Sequence, residues 1–218
     1  KRILFMFSDT GGGHRSATEA MIEAFDLEFP GRFDSHKVDF FREYYPSPLR
    51  FAPEIYPPFS RIPNAWGLSF KASDGKSRAR ALNGMTYPYL RRSAKRLVNQ
   101  NPADLIVSVH PLVNTTLMRA MRNSPRPYIT VVTDLVSTHA FWFDRRADLV
   151  VVATGDAVLV ANRDRAQQVK LVVDRLRAER HDSATHHQTV HRPWGSFTVL
   201  EDAPDAKVKR LVVKPGQV

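Results

Sequence analysis

Three consecutive glycines and a histidine, Gly11-Gly12-Gly13-His14, stand between an apolar run and a helical pattern. Residues without a Cβ let the backbone approach a ligand closely. The helix start beyond them offers unsatisfied N–H groups and a partial positive charge, suited to a phosphate or a developing oxyanion. A histidine at the mouth of such a loop can take a proton from an alcohol near neutral pH. The same histidine can simply cap the helix, and spacing alone leaves both roles open. The pattern is not the dinucleotide fingerprint, and no Lys-Ser/Thr follows to make a P-loop. Other polar residues follow apolar runs: Ser8 to Thr10, His110, Thr133-Asp134, and Ser137 to Trp142. His110 and His139 read as structural. His186, His187 and His191 fall in a polar, linker-like run and are not expected to bind metal. The sequence has 0 Cys, which excludes disulfides and thiolate metal sites.

These residues need elements to position them. Arg2–Phe7 reads as a strand, and residues 15–29 read as a helix with Ala17, Ala20, Met21, Ala24 and Phe25 at three- and four-residue spacing. A second strand is expected over Lys37–Phe41, and a basic helix over 86–99 in spite of Pro88. Asp104–Val109, Tyr128–Thr133 and Asp148–Val152 are apolar, β-branched strands, with a helix over Leu112–Met121. Strands of this kind alternating with helices imply an α/β layer structure with a parallel sheet. Its ligands are expected at the carboxyl ends of the strands, where the polar residues collect. Beyond residue 153 the pattern changes to a short strand at Ala157–Ala161, a helix ending near Glu179, the polar run His181–His191, and a hairpin of Phe197–Leu200 with Val208–Val213.

The 218 residues carry a net charge of +10, with 43% hydrophobic and 25% charged side chains. This composition is that of a globular protein. The basic excess suits a polyanionic partner. Between Lys71 and Arg96 lie eight basic side chains and one carboxylate, Asp74. Residues 44–70, just before, combine seven aromatic rings, Trp66 among them, with six prolines that rule out one long helix. Aromatics beside a basic cluster suit a membrane–water interface. Folding of the same loop onto its own domain is the alternative. Trp66, Arg91, Arg92, Lys95 and Arg96 are the candidates for docking on an anionic surface. No apolar run approaches a membrane span. The chain opens on Lys1 directly into a strand pattern and reads as a trimmed fragment.

The longer string ILFMFSDTGGGHRSATEA (Ile3–Ala20) resembles the amino-terminal domain of the monogalactosyldiacylglycerol synthase and processive diacylglycerol glucosyltransferase family. ADLIVSVHPLVN (Ala103–Asn114) and ITVVTDLVSTHAFWFDRRADLVVV (Ile129–Val152) agree in order and spacing. The resemblance implies one half of a GT-B glycosyltransferase, peripheral at a membrane in the cytoplasm. It would hold diacylglycerol while a separate domain binds a UDP-sugar. Carried over, His14 is the general base for the lipid hydroxyl. Gly11, Gly12 and Gly13 let donor and acceptor approach it, and Trp142 sits beside the acceptor. Asp134 is a candidate to orient His14 or a substrate hydroxyl. No metal, no further cofactor and no nucleic acid is implied.

From Thr154 the resemblance changes. Thr154–Glu179, Thr189–Asp202 (TVHRPWGSFTVLED) and Lys207–Gln217 are similar to bifunctional mannose-1-phosphate guanylyltransferase/mannose-6-phosphate isomerase, where its linker enters the isomerase cupin. The expectation is therefore two units. Residues 1–152 form an open, mainly parallel α/β acceptor domain. Residues 153–218 form a helix and a partial β-hairpin, with the seam near Val152–Gly155. Two alternatives stay open: a fragment acting in sugar-nucleotide metabolism, and a non-catalytic module for lipid surfaces.

Overall fold

The computed structural model describes residues 1–10, 13–60, 62, 64–133, 138–153, 158–162, 169–179, 189–192, 195–203 and 206–215. Strands β1 (Arg2–Phe7), β2 (Asp34–Asp39), β3 (Leu105–Ser108), β4 (Tyr128–Val132), β5 (Leu149–Ala153) and β6 (Val158–Asn162) form one sheet in the order β2-β1-β3-β4-β5-β6. All pairs are parallel except β5 with β6. The fold is thus α/β with a mainly parallel sheet. Chain order reverses between β1 and β3, so their carboxyl ends flank the switch-point crevice where ligands bind in such sheets.

Alternation along β1 sends Ile3 and Phe5 to one face and Leu4 and Met6 to the other. Helix α1 (Gly13–Glu28) covers the Ile3/Phe5 face through Met21, Ile22 and Phe25. Helices α5 (Lys76–Gln100) and α6 (Asn114–Ala120) cover the other through Leu90, Leu97, Val98, Leu117 and Met118. The link from β4 to β5 contributes no α-helix among its described residues. Its Trp142 packs on Val132, Val150 and Val152, on the sheet face opposite α1, while on the α1 face Leu105, Val107, Ile129, Val131 and Val151 are left facing open space. A cavity occupies that place.

Several elements depart from the sequence expectation. Lys37–Phe41 is not one strand, because Asp39 Oδ1 accepts from the N–H groups of Phe41 and Arg42 and starts α2 (Phe40–Tyr44). The proline-rich stretch holds two short helices, α3 (Ala52–Ser60) and α4 (Ala65–Ser73). The basic helix begins at Lys76 rather than 86 and accommodates Pro88. Beyond residue 152, β6 returns antiparallel to extend the first sheet, and α7 spans Val169–Ala178. The expected hairpin is a three-stranded antiparallel sheet of β7 (Thr189–Arg192), β8 (Gly195–Ala203) and β9 (Ala206–Val213). His191 is thereby in a strand, opposite Ser196, rather than in a linker. His186 and His187 lie outside the described residues.

Candidate active site

His14 is the second residue of α1 and is nearly buried, at 8% exposure. Its Nδ1 lies 2.9 Å from Thr133 Oγ1, just past the end of β4. Its ring meets His110 edge-on at 4.6 Å between centroids, and Trp142 lies 6.1 Å away. His110 follows β3, so the switch point brings together two imidazoles that lie nearly a hundred residues apart in the chain.

His110 is fixed on both sides. Its Nδ1 accepts from Leu112 N–H at 3.2 Å, so the neutral ring carries its proton on Nε2, which donates to Thr10 Oγ1 at 3.1 Å. Phe40 and Phe41 pack edge-on against it at 5.1 and 5.7 Å. Burial, and secondarily the proximity of His14, push its pKa well below 6.5. His110 is therefore a neutral imidazole that ties the 8–10 loop to β3. The same loop is anchored to β2: Asp9 N–H donates to Asp39 Oδ2 at 3.3 Å, and Arg15 pairs with Asp9 at 2.7 Å.

Below the two histidines opens a cavity of about 1260 Å³. Its floor is the uncovered sheet face, with Leu105, Val107, Ile129, Val131 and Val151. One wall is α1, through Gly13, Ala17, Met21 and Phe25. The other is α3 and α4, through Ile55, Tyr56, Phe59 and Phe70. Thr10, His14, His110 and Thr133 gather at one end, and Ser69, Ser73 and His139 add polar groups on the α4 side. A Cβ at Gly13 meets nothing within 4 Å, so this glycine adds open room. The site is larger than most small-molecule pockets, which run to roughly 1,000 Å³. Its shape and lining suit a long apolar ligand with one hydroxyl-bearing end.

The α4 wall is pinned. Ser73 Oγ, which donates to Ser69 O at 2.6 Å, lies 3.0 Å from His139 Nε2. Ala140 N–H donates to Asp74 Oδ1 at 2.9 Å, and Phe70 stands edge-on to the His139 ring at 5.0 Å. The aromatic stretch is thus divided. Tyr45 is buried, while Tyr56, Phe59 and Phe70 line the cavity. Phe51, Ile55, Ile62 and Leu68 expose about half or more of their surface.

Of the residues singled out in the sequence, Gly13 and His14 line the cavity, and Trp142 does not but stands 6.1 Å from the His14 ring. Trp142 is fully buried and packs with Val132, Phe143, Val150 and Val152 behind His14. Gly11, Gly12 and Asp134 lie outside the described residues, as does the side chain of Trp66, whose backbone is in α4. Arg91, Arg92, Lys95 and Arg96 are exposed on the last turns of α5, away from the cavity lining. Arg96 donates to Tyr44 O and stacks on the Tyr44 ring. Sequence reasoning gave no role to Thr10 or Thr133, although both stand at strand ends. It also missed the lining from β3, β4 and β5, which alternates invisibly within fully apolar runs.

The chain is similar to two groups of known proteins. The family described as monogalactosyldiacylglycerol (MGDG) synthase matches residues 14–170. Mannose-6-phosphate isomerase C-terminal matches residues 179–218. A probable monogalactosyldiacylglycerol synthase of Nicotiana tabacum is 31% identical over 150 residues, covering 66% of this chain and 28% of its own length. A second, from Oryza sativa subsp. indica, is 32% identical over 148 residues, covering 66% and 31%. The xanthan biosynthesis protein XanB of Xanthomonas campestris pv. campestris (strain B100) is 46% identical over 69 residues, covering 32% of this chain and 15% of its own. Among solved structures, MurG of Acinetobacter baumannii aligns with a TM-score of 0.41 at 15% identity, over 70% of this chain and 41% of that one. The chain spans less than a third of the length of each of these curated relatives. With its glycine loop, His14 and apolar strands all inside or adjoining the matched region, the chain belongs to the MGDG synthase family.

Proposed function

We propose that residues 1–152 are the acceptor half of a glycosyltransferase that moves a hexose from a UDP-sugar to diacylglycerol. The observation that carries this is His14 at the polar end of a cavity of about 1260 Å³ whose remaining lining is largely apolar. The acyl chains lie along β3 to β5, and the free hydroxyl points to His14. With Nδ1–H donating to Thr133, Nε2 holds the lone pair that takes the hydroxyl proton. The lipid oxygen then attacks the sugar's anomeric carbon as UDP leaves, with the donor held by a separate domain. Asp134 and the glycines Gly11 and Gly12 are assigned to orienting the reactants, and Trp142 to supporting His14 from behind.

Ile55 and Leu68 are exposed apolar residues of α3 and α4, and Ile55 also lines the cavity. With Trp66 and the exposed Arg91, Arg92, Lys95 and Arg96, they are assigned to peripheral docking on an anionic, cytoplasmic membrane face. No described helix is long and apolar enough to cross a membrane.

The test is binding of dioleoylglycerol in mixed micelles to the purified chain. Binding that survives His14→Ala and is lost in Val131→Trp, which fills the cavity floor, supports the reading. Undiminished binding in Val131→Trp refutes it.

Residues 153–218 are proposed as a second unit. Beyond residue 153, β6 pairs antiparallel with β5, whereas every earlier pair in this sheet is parallel. The isomerase match at 179–218 supports a second reading for this unit, the opening strands of a sugar-phosphate isomerase. Isomerisation of mannose 6-phosphate by the chain would favour that reading.

A further inference from the structure

We propose that the groove between α5, α6 and the 140–146 segment is a binding site for a phosphate ester, distinct from the acceptor cavity. The groove encloses about 300 Å³, and Lys76, Arg80, Arg119, Arg145 and Arg146 line it with a single carboxylate, Asp144. It shares Arg119, Arg145 and Arg146 with a wider depression of about 740 Å³ that adds Arg122 and Arg126.

The carboxylate is already committed. Asp144 takes a bidentate pair from Arg146, at 2.8 and 2.6 Å, and a hydrogen bond from Thr115 Oγ1 at 2.8 Å. It cancels one cation. Among the described residues Lys76, Arg80 and Arg145 have no ion-pair partner. Cations with no role repel one another and spread over convex surface; here they converge on a concavity. Two of the guanidinium groups are also held in place. Arg119 stacks 3.8 Å over the Tyr87 ring and donates to Asn83 O at 3.4 Å. Arg146 is held by Asp144. Ordered guanidinium forks match phosphate oxygens two at a time and lose little freedom on binding.

The excess charge and the size select the ligand class. A phosphate monoester carries about −1.5 to −2 at pH 7 and presents three acceptor oxygens, which a carboxylate cannot equal. The groove admits a small headgroup, not a nucleic acid duplex. Its ligand is either a soluble sugar or glycerol phosphate or the headgroup of an anionic lipid. The placement gives the site a consequence. Residue 140 lines this groove while residues 139 and 141 line the acceptor cavity, so a bound phosphate stiffens the wall between them.

The experiment compares the purified chain with Arg80→Gln/Arg145→Gln and with Arg32→Gln/Lys37→Gln, which removes equal charge from the β2 edge of the sheet. All four positions are exposed, and thermal midpoints verify that each variant folds. The probes are inorganic phosphate and glycerol 3-phosphate by calorimetry, and phosphatidylcholine vesicles with or without phosphatidic acid by flotation. The expected result is a loss of about tenfold or more for the groove variant with little change for the β2-edge one. Binding of the soluble probes assigns a free phosphate ester, and binding of phosphatidic acid vesicles alone assigns a lipid headgroup. Equal losses in the two variants, wild-type affinity in the groove variant, or no binding to either kind of probe overturns the proposal. The acceptor reading is unaffected by that failure, since His14 and Val131 lie in the other cavity.

Discussion

Replacing His110 by Phe separates the two things this residue does, packing and proton bookkeeping. The ring is 4% exposed and surrounded by Phe40, Phe41 and His14. Phe keeps most of that aromatic contact. It removes the acceptor for Leu112 N–H and the donor to Thr10 Oγ1. One buried N–H left without a partner costs about 1–3 kcal/mol, so the variant at neutral pH should be destabilised by that amount. His110→Ala, which also empties the ring volume, should cost about 3–5 kcal/mol.

The pH dependence is the sharper test. Burial holds the folded pKa of His110 well below 6.5. Between that folded value and 6.5 the unfolded chain binds a proton the folded one does not, so stability is full above 6.5 and falls on acidification. The slope for a single proton reaches at most about 1.36 kcal/mol per pH unit. His110→Phe has no such group. The difference in unfolding free energy between wild type and His110→Phe should therefore shrink, or change sign, as pH falls from about 7 to about 5. Urea denaturation of both proteins across that range measures it, and subtracting the two curves cancels every shared titration. A difference that stays constant with pH refutes the claim that His110 is a buried neutral imidazole.

Three further outcomes are expected. Thr133→Val removes the partner of His14 Nδ1; it should cost about 0.5–1.5 kcal/mol and shift the His14 ring nitrogen resonances away from a single tautomer, read by nitrogen-15 NMR. Ile129→Trp on β4 should obstruct the cavity and weaken diacylglycerol binding by about tenfold or more, with a thermal midpoint that shows the fold retained. Asp144→Asn breaks the pair with Arg146, which is 44% exposed, so the loss is modest, about 1 kcal/mol. Asp144 has a lowered pKa through Arg146 and Thr115 despite its burial. Its contribution is therefore complete above 3.8 and lost as pH falls through its folded value, so wild type and variant should converge in acid denaturation.

The sequence by itself was enough for much of the fold. Four strands, β1, β3, β4 and β5, read as apolar runs because parallel strands are buried on both faces, and burial selects composition directly. The strand-to-helix junction at Gly13-His14 was legible because glycines following an apolar run mark where β1 ends and α1 begins. The sequence resemblance changes at Thr154, whereas in the structure β6 beyond it still extends the first sheet. Other features were decided only in three dimensions. That His110 touches His14, across nearly a hundred residues, follows from the reversal of strand order, which no local pattern encodes. The cavity exists because α1 covers only part of one sheet face while α3 and α4 wall off the rest at a distance, a property of the tertiary arrangement rather than of Ile129 or Val131. Asp39 ended a strand that apolar composition extended to Phe41, since a capping hydrogen bond outweighs propensity over two residues. The eight cations between Lys71 and Arg96 read as one cluster in sequence. Helix α5 distributes those from residue 76 onward, sending Lys76 and Arg80 into a groove with Arg145 and leaving Arg91 and Arg92 on open surface, because charge has no address until a helix and its neighbours assign one.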